Sequence, residues 1–509
     1  GPDEIAAAAA QAGLKFLIFT DHGDGTRTPD PPAYRSGVLC LDGVEISTNQ
    51  GHYIALGMPA APYPLAGDAR DVVEDVRRLG GFGIAAHPDS PSPKLAWRDW
   101  TAPFDGIELL NPDTTWRTLL YESGLASKRQ LITALVDYPF RPIETIANQL
   151  RDSQSIAAWQ ALAARRPVVA IAGVDAHAKL QWGSDPGSRY SLPFFGYATA
   201  FQVMSVHVAT GGALTGDAAA DADLVMRAIR AGHLYTAVDG LATPPAFEFV
   251  AANSRATAHA GDEIEQGGGV SLHVRSNAPP TFTTVVHRGT TVLASARDAG
   301  DWTVHANEEP GAYWVDILAP HHPQPTTWLR SNPVYIRSPK AAPVTETTST
   351  PVVQSLFDGT SADLWKIEKD AASLADVDVA TGVSGPELRL RYGLAGGAPL
   401  GQVAGIVYST PNGIQSADRL TFTVRADRPM RISVQLRAKN ADRWQRSVYA
   451  DPSPRERTVR LDDMTPVGVT PTPAPPLADI ISILLVVDVT NTKPGSSGFL
   501  WFSGVRLER

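Results

Sequence analysis

The sequence predicts an α/β region of βα units around a parallel sheet or barrel, followed by two all-β sandwich domains. From residue 1 to about 242, short β-branched runs alternate with helical patterns, and from 243 onwards runs with a period of two residues replace them. A segment rich in Pro, Ser and Thr, residues 341–351, separates two such all-β stretches and is typical of a linker. A chain of 509 residues is also long enough for about three domains, each with its own core.

The first region, residues 1–242, has readable strands and helix ends. A helix is expected after Asp68, with its stop at Gly80, another from Ser153, and a third over 222–231 that ends at Gly232. The strand candidates are 14–19, 38–46, 83–86, 106–110 and 168–174.

The two all-β regions differ in length. Residues 243–340 show turn residues at intervals of about ten, which predicts an Ig-like sandwich of about 100 residues. Residues 352–509 hold about ten strand candidates, which favours a jelly-roll sandwich. Trp365, Trp444 and Trp501 could bind a glycan by stacking, or they could be core residues.

Composition excludes several functions. A net charge of −9, with acidic and basic residues interspersed, argues against bulk binding of nucleic acid or of an anionic membrane. The longest apolar stretch, around 480–487, is far shorter than the ~20 residues of a membrane span. The single cysteine, Cys40, cannot form an internal disulfide. Accessory sandwiches and a Pro/Thr-rich linker favour a periplasmic or secreted protein, with the cytoplasm left open.

Metal-ligand and acid/base side chains follow the strands of the first region. The carboxyl ends of parallel strands meet at one edge of a sheet, so these side chains are expected to lie together. Clustered imidazoles and carboxylates need a counter-charge, and such mixed ligands suit Zn, Mn or Fe. Two ions held there can activate water for hydrolysis. The residues concerned are Asp21 and His22, Glu45, His87, Glu108 with Asn111 beyond it, and Asp175 with His177.

The motifs around these residues resemble, in order, those of the PHP (polymerase and histidinol phosphatase) superfamily. The resemblance covers about residues 1–240. The matching stretches are Thr20-Asp21-His22-Gly23, Gly43-Val44-Glu45-Ile46 followed by Gly51-His52-Tyr53, Ala85-Ala86-His87-Pro88, Gly106-Ile107-Glu108 and Asp175-Ala176-His177.

This resemblance implies a distorted (βα)7 barrel with two or three divalent metal ions. His22 and His177 would hold one ion, Glu45 would bridge, His52 with His87 would complete a second site, and Asp175 would serve a shared ion. Glu45, Asp175 and His177 are the expected catalytic residues, while Lys179 and Arg27 are candidates for binding an anionic substrate group. Glu108 and Asn111 are left out of the metal set, because they could orient a metal ligand without binding the ion themselves.

The superfamily's first motif, a His-x-His at the end of the first strand, is missing from the sequence. Gly1 to Ala6 is similar to the helix that follows that strand, so the chain is expected to begin one element late or to form a degenerate barrel.

The function that the resemblance implies is hydrolysis of a small-molecule phosphoester by a metal-bridged hydroxide. The stretch 51–57 is also similar to a branch of carbamate and ester hydrolases, and 331–336 is similar to the last strand of the Ig-like sandwiches that accompany PHP barrels. Two alternatives therefore stay open: carbamate, amide or ester hydrolysis at the same site, and a degenerate barrel that serves as a binding or scaffolding module.

Overall fold

The structure is a computed structural model, and the chain divides into two compact units. The first unit comprises Gly1–Gly23, Thr28–Pro59 and Val73–Ala342, and the second comprises Asp24–Arg27, Ala60–Val72 and Pro343–Arg509. The chain is mostly β-sheet, with a few helices before residue 232. The structure describes residues 1–122, 124–175, 180–181, 191–192, 196–243, 245–306, 309–320, 325–338, 351–382, 384–398 and 401–509.

The predicted helices are present, with shifted ends. Asp217 caps the last one through its carboxylate, which accepts hydrogen bonds from the backbone N–H groups of Ala219 and Ala220, and Gly232 ends it at a φ of 73°. That helix begins four residues before the predicted start at 222. The α-helices are α1 (Pro2–Gln11), α2 (Ala69–Arg78), α3 (Pro112–Tyr121), α4 (Leu125–Asp137), α5 (Pro142–Ala147), α6 (Ile156–Ala163), α7 (Tyr197–Val203) and α8 (Ala218–Ala231).

The N-terminal sheet contains all five predicted strands, but it is mixed rather than parallel. Its strands are β1 (Phe16–Phe19), β2 (Ala33–Arg35), β3 (Val38–Thr48), β4 (Gly51–Leu56), β5 (Phe82–Ala85), β6 (Gly106–Leu110) and β7 (Val169–Ala172). The spatial order is β1-β3-β4-β5-β6-β7, with β2 beside β3. The β1/β3, β5/β6 and β6/β7 pairs are parallel, whereas β4 is antiparallel to β3 and to β5.

The expectation of a wholly parallel sheet was wrong at β4 for a geometric reason. Only Asn49 and Gln50 separate β3 from β4. A two-residue connection makes a hairpin, whereas a parallel pair needs a crossover of a dozen residues or more. As a result, the first residues of β4 lie at the same edge of the sheet as the last residues of β3 and β5.

The rest of the first unit contains a β-sandwich-like pair of sheets and a separate two-stranded pair. Its strands are β8 (Leu180–Gln181), β9 (Ser191–Leu192), β10 (Ser205–Val208), β11 (Leu234–Ala237), β12 (Phe247–Ala252), β13 (Thr257–His259), β14 (Glu263–Glu265), β15 (Ser271–Ser276), β16 (Thr283–Arg288), β17 (Thr291–Arg297), β18 (Asp301–His305), β19 (Gly311–Ala319), β20 (Thr326–Ser331) and β21 (Val334–Arg337). One sheet runs β10-β11-β20-β19-β16-β17, with β14 and β21 alongside, and the other runs β13-β12-β15-β18, while β8 and β9 pair separately.

The larger of these sheets crosses the predicted domain boundary at residue 242, because β11 pairs with β20. Asn332 joins it to the N-terminal sheet: its side-chain oxygen accepts a hydrogen bond from the Ala170 backbone N–H at 2.7 Å. Its amide group donates to the carbonyls of Ala170 and Leu234. A buried side chain with three such bonds stabilises the two sheets as one unit.

The second unit is a β-sandwich of two six-stranded sheets in which the recorded strand pairs are antiparallel. Fully buried aromatic side chains such as Phe422, Trp444 and Phe502 form its core. The strands are β22 (Val352–Ser355), β23 (Trp365–Lys369), β24 (Leu374–Gly382), β25 (Gly385–Gly393), β26 (Val403–Ser409), β27 (Arg419–Ala426), β28 (Met430–Ala438), β29 (Arg443–Ala450), β30 (Arg455–Arg460), β31 (Thr465–Pro466), β32 (Ile480–Asp488) and β33 (Ser497–Glu508). The Ig-like and jelly-roll assignments stay predictions.

Two simpler expectations concern membranes and thiols. In the ranges that the structure describes, no helix combines the length and the apolar character that a membrane crossing needs. Cys40 is a buried free thiol, and burial raises its pKa.

Candidate metal centre

One buried carboxylate, that of Glu45, is surrounded by three imidazoles. Glu45 lies on β3 and is 7% exposed. Its Oε1 accepts hydrogen bonds from His52 Nδ1 at 2.6 Å and from His87 Nε2 at 2.9 Å, and its Oε2 lies 3.6 Å from His22 Nδ1. The ligand atoms of His22, Glu45 and His52 all lie within 4.8 Å of one another. We call Glu45, His22, His52 and His87 the His–Glu cluster.

His22 joins this cluster because its backbone is tied to β3. The Gly23 N–H donates to the Glu45 carbonyl, and the Glu45 N–H donates to the Asp21 carbonyl, each at 3.0 Å. These two bonds form an isolated parallel bridge between His22 and Glu45. The His22 side chain is 59% exposed, so it lies at the solvent side of the cluster.

His52 reaches the cluster because β4 runs antiparallel to its neighbours. It is the second residue of β4, and this end of the strand lies at the edge where β3 and β5 finish. The preceding Gly51 has a φ of 116°, and a Cβ there would lie 2.4 Å from the Ala96 carbonyl oxygen. Only glycine meets both conditions.

His87 follows β5 and has a φ of 27°, a left-handed conformation that is uncommon for a residue with a side chain. Its ring centroid lies 5.2 Å from that of His52. The Nδ1 atom of His87 is buried, and no residue in the described part of the chain forms a hydrogen bond with it. A buried imidazole nitrogen without a partner is compatible with a site whose donors serve a cation.

Three further polar residues lie beside His87. The Glu108 carboxylate on β6 accepts a hydrogen bond from the His87 backbone N–H at 2.7 Å and from Asn111 Nδ2 at 3.0 Å. Asn111 Nδ2 also lies 3.5 Å from Asp175 Oδ2. Asp175, which follows β7, has a φ of 48°.

The pKa values of these groups reflect burial and their mutual contacts. Burial alone would raise the pKa of Glu45, but hydrogen bonds from His52 and His87 lower it to about 2. Burial alone would lower the pKa of His87, but its bond to Glu45 and the charge of Glu108 raise it to about 9. Burial raises the pKa of Glu108 to about 7, helped by the nearby charge of Asp175.

A cavity of about 1400 Å³ reaches the cluster. Its lining includes apolar side chains of the sheet, such as Ile54 and Ile84, and the polar residues Glu45, His87 and Glu108. Residues of β1 and of β10 also line the cavity. Within the part of the chain that the structure describes, β1 pairs only with β3 and β10 only with β11.

The residues predicted from the sequence fall into three groups. His22, Glu45, His52 and His87 come together, and Asp175 lies next to Asn111 and lines the same cavity. His177 and Lys179 lie outside the described residues. Arg27 is exposed and belongs to the second unit, so its role in substrate binding stays a prediction.

Two neighbours of the cluster were missed by reasoning from the sequence. Ser47 Oγ lies 3.4 Å from His52 Nε2, and a two-residue hairpin that places positions 47 and 52 opposite each other could have revealed it. Gly173 packs against Glu108. The signal in the sequence was a glycine between the strand β7 and the motif residue Asp175.

The tryptophans of the second unit are only partly available for glycan stacking. Trp365 and Trp444 are 2% and 0% exposed, so they are core residues. Trp501 is partly exposed, but the Arg425 guanidinium carbon lies 3.9 Å from the centroid of its ring. Glycan binding by this unit stays a prediction.

Comparisons with known proteins do not show a family. No family model matches the chain. Over 114 residues the chain is 31% identical to an uncharacterized protein of Methanocaldococcus jannaschii. That match spans 22% of this chain and 66% of the relative, just under two thirds of its length.

Similar solved structures cover about a third of the chain. A family 11 carbohydrate-binding module of a cellulosomal cellulase of Clostridium thermocellum is 16% identical, with a TM-score of 0.26 and coverage of 32% of this chain and 95% of the module. A mannan-recognising carbohydrate-binding module, TmCBM27, is 10% identical, with a TM-score of 0.23 and coverage of 32% and 99%. With TM-scores below 0.5, these similarities do not establish the fold or the function of this protein.

Proposed function

We propose that this protein is a divalent-metal-dependent hydrolase whose reaction centre is the His–Glu cluster, with a phosphoester as the substrate class. The observation that carries this proposal is the charge environment of Glu45. In the described part of the chain, the ion pairs of Glu45 go to imidazoles and none to a guanidinium or an ammonium group. A buried carboxylate that faces imidazoles is a donor set suited to a divalent cation, which can replace a proton on such a ring.

The ligand types support Zn, Mn or Fe. Imidazole nitrogens with a carboxylate are the donors that these ions take in proteins. The two oxygens of Glu45 face different histidines, Oε1 facing His52 and His87 and Oε2 facing His22, so this side chain can bridge two ions. When bound, such ions supply a Lewis acid and lower the pKa of a bound water molecule.

The chain's own residues would divide the remaining work. Glu45, His52 and His87 would fix the position of the ions from the buried side. His22, on the solvent side, would complete the ligand set where substrate enters. Asp175 and His177 follow β7, and the motif resemblance to the PHP superfamily supports assigning them to the same site. A distorted (βα)7 barrel around this site is part of the same proposal.

The cavity supports a small-molecule substrate. Its volume of about 1400 Å³ is ample for a ligand of drug size, and its lining combines apolar side chains with His22, Glu45 and His87 of the cluster. A phosphoester would present its anionic oxygens to the metal end.

The first test is metal content. The full chain, expressed in medium with Zn, Mn and Fe and purified without chelator, is expected to carry at least one transition ion per chain by elemental analysis. Glu45→Gln, prepared in parallel, is expected to lose it. Fewer than one ion per chain in the parent protein would contradict the proposal and favour a binding or scaffolding module.

The second test separates the reaction classes. Turnover of para-nitrophenyl phosphate or bis-para-nitrophenyl phosphate, absent in Glu45→Gln, would support a phosphoesterase. Turnover of an aryl carbamate or ester alone, with the same sensitivity to Glu45→Gln, would replace the phosphoesterase by the alternative hydrolase. His177→Ala should abolish whichever activity is found, and full activity of that variant would exclude His177 from the site.

A further inference from the structure

Two residues at the metal end of the cavity have left-handed backbone conformations. His87 follows β5 with a φ of 27°, and Asp175 follows β7 with a φ of 48°. A residue with a Cβ atom pays free energy for such a conformation, so surrounding contacts must hold it. In the sheet, β6 is the strand between β5 and β7.

Glu108 on β6 contacts the first of these residues directly. Its Oε2 accepts a hydrogen bond of 2.7 Å from the backbone N–H of His87. The bond fixes the peptide group that precedes the His87 side chain, and therefore the direction in which the imidazole leaves the backbone. Glu108 itself is 4% exposed, so its carboxylate is buried beside His87.

Asn111 connects Glu108 with the second residue. Its Nδ2 donates to Glu108 Oε2 at 3.0 Å and lies 3.5 Å from Asp175 Oδ2. Its Oδ1 accepts a hydrogen bond from the Thr114 N–H, so the same side chain caps helix α3. One residue thus ties the start of a helix, Glu108 and Asp175 together.

Gly173 shows that the place of the Glu108 carboxylate is built into the backbone. A Cβ atom at position 173 would lie 1.6 Å from Glu108 Oε1. Any side chain there would displace the carboxylate from His87 and Asn111. The need for glycine is spatial at this position, because Gly173 is not among the residues with positive φ.

We propose that Glu108 and Asn111 form a positioning pair that holds His87 and Asp175 in the geometry needed for a divalent cation, without being ligands themselves. This inference rests on the proposed function. The pair acts on the backbone of His87 through Glu108 and on the carboxylate of Asp175 through Asn111, with Gly173 leaving the room that Glu108 occupies.

The test separates positioning from helix capping. Asn111→Ser keeps a side-chain oxygen that can accept from the Thr114 N–H, but it removes the amide donors to Glu108 and Asp175. The full chain, stripped of metal, is titrated with Zn²⁺ by calorimetry, and with Co²⁺ while the visible ligand-field bands are recorded. We expect affinity to fall about 10- to 100-fold in Asn111→Ser, with altered Co²⁺ bands.

A matched control distinguishes this effect from a general loss of stability. Asp217→Ser makes the same kind of change at the N-cap of α8, outside the cluster. It is expected to leave Zn²⁺ affinity and the Co²⁺ bands unchanged. The metal-free melting temperature of both variants should stay within about 3 °C of the parent protein.

A second variant distinguishes positioning from ligation. Glu108→Gln keeps an oxygen that can accept from His87 and Asn111, so Zn²⁺ affinity should stay within about tenfold. A loss as complete as in Glu45→Gln would make Glu108 a ligand and overturn the inference. Unchanged affinity and bands in Asn111→Ser would also overturn it, whereas absence of metal binding by the parent chain would overturn the proposed function instead.

Discussion

Two histidines of the first unit, the buried His87 and the partly buried His287, lie beside a carboxylate, yet their pKa values shift in opposite directions. His87 Nε2 is 2.9 Å from Glu45, and its pKa rises to about 9. His287 Nε2 is 3.6 Å from Asp316, and burial together with the Arg330 charge lowers its pKa to about 4. The difference lies in what else each carboxylate contacts.

Asp316 is already neutralised. Arg330 donates to both of its oxygens, from Nε at 2.8 Å and from Nη2 at 2.9 Å. His287, stacked on Trp314 with ring centroids 3.9 Å apart, therefore finds no uncompensated negative charge at Asp316 and stays neutral. Among the described residues, the ion pairs of Glu45 are with imidazoles, so its negative charge can be balanced by protons on those rings or by a bound cation. A buried acid paired with a guanidinium already has its counter-charge, whereas one that faces imidazoles has a donor set that a cation could join.

The largest expected effect is a loss of unfolding free energy when the Asp316–Arg330 pair is broken. Asp316→Ala leaves the Arg330 guanidinium buried without its bidentate partner, and breaking such a pair costs about 3–5 kcal/mol of unfolding free energy. Denaturant unfolding of the full chain measures it, and metal affinity should not change. Asp316→Leu combined with Arg330→Met should recover most of the loss, because the double variant buries no charge. A loss below about 1 kcal/mol in Asp316→Ala would contradict this assignment.

At Glu45 we expect the reverse: a loss of metal affinity with little change in stability. Glu45→Gln keeps an acceptor for His52 and His87, so the stability of the metal-free protein should change little. Zn²⁺ affinity should fall at least about 100-fold, or roughly 3 kcal/mol, because the amide carries no charge for a cation. Calorimetric titration checks this. If Glu45→Gln instead unfolds the metal-free chain while Zn²⁺ binding is retained, Glu45 would be a structural residue, as Asp316 is.

The sequence predicted that His22, Glu45 and His87 belong to the His–Glu cluster because each lies at or just beyond the end of a predicted strand of the same sheet. That reasoning succeeded for His22, Glu45 and His87 through the common edge of parallel strands. It placed His52 there only through the motif resemblance, since nothing in its own strand indicates that β4 is antiparallel. The two-residue connection at Asn49 and Gln50 was the unused signal.

The contrast between Glu45 and Asp316 could not be predicted from the sequence. Arg330 and Asp316 lie on different strands, β20 and β19, and become neighbours only through the antiparallel register of that pair. The same holds for the boundary at residue 242, which the β11/β20 pairing crosses. Register between distant strands depends on side-chain packing across the sheet, and one strand's pattern does not contain it.

The opposite shifts also predict an acid-dependent loss of stability that belongs to His287. Its folded pKa of about 4 lies below the ordinary value of 6.5, so the unfolded chain binds more protons between these values. Stability should therefore fall as the pH drops from about 6.5 to 4, by roughly 3 kcal/mol from this residue. Denaturant unfolding at several pH values should show a shallower fall in His287→Gln. The same slope in both proteins would contradict the prediction, and His273→Gln on β15 is the control.

The smallest effect concerns the orientation of His52, one of the proposed metal ligands. Ser47 Oγ lies 3.4 Å from His52 Nε2, on the side of the ring opposite to Glu45. A partner on the second nitrogen fixes the tautomer and the angle of a metal-binding imidazole. Because this contact is long, Ser47→Ala should weaken Zn²⁺ binding, measured by calorimetric titration, by no more than about tenfold, or roughly 1 kcal/mol.

The matched control for Ser47 is another serine beside a histidine. Ser205 Oγ lies 3.0 Å from His207 Nε2 and donates to Asp239, so it makes the same kind of contact outside the cluster. Ser205→Ala should leave Zn²⁺ affinity unchanged at every pH. If both variants weaken binding equally, the effect reflects the packing of the cavity wall, and His52 does not depend on Ser47 for its orientation. If only Ser47→Ala weakens Zn²⁺ binding, Ser47 fixes the orientation of His52 for a cation, as Arg330 fixes the position of Asp316.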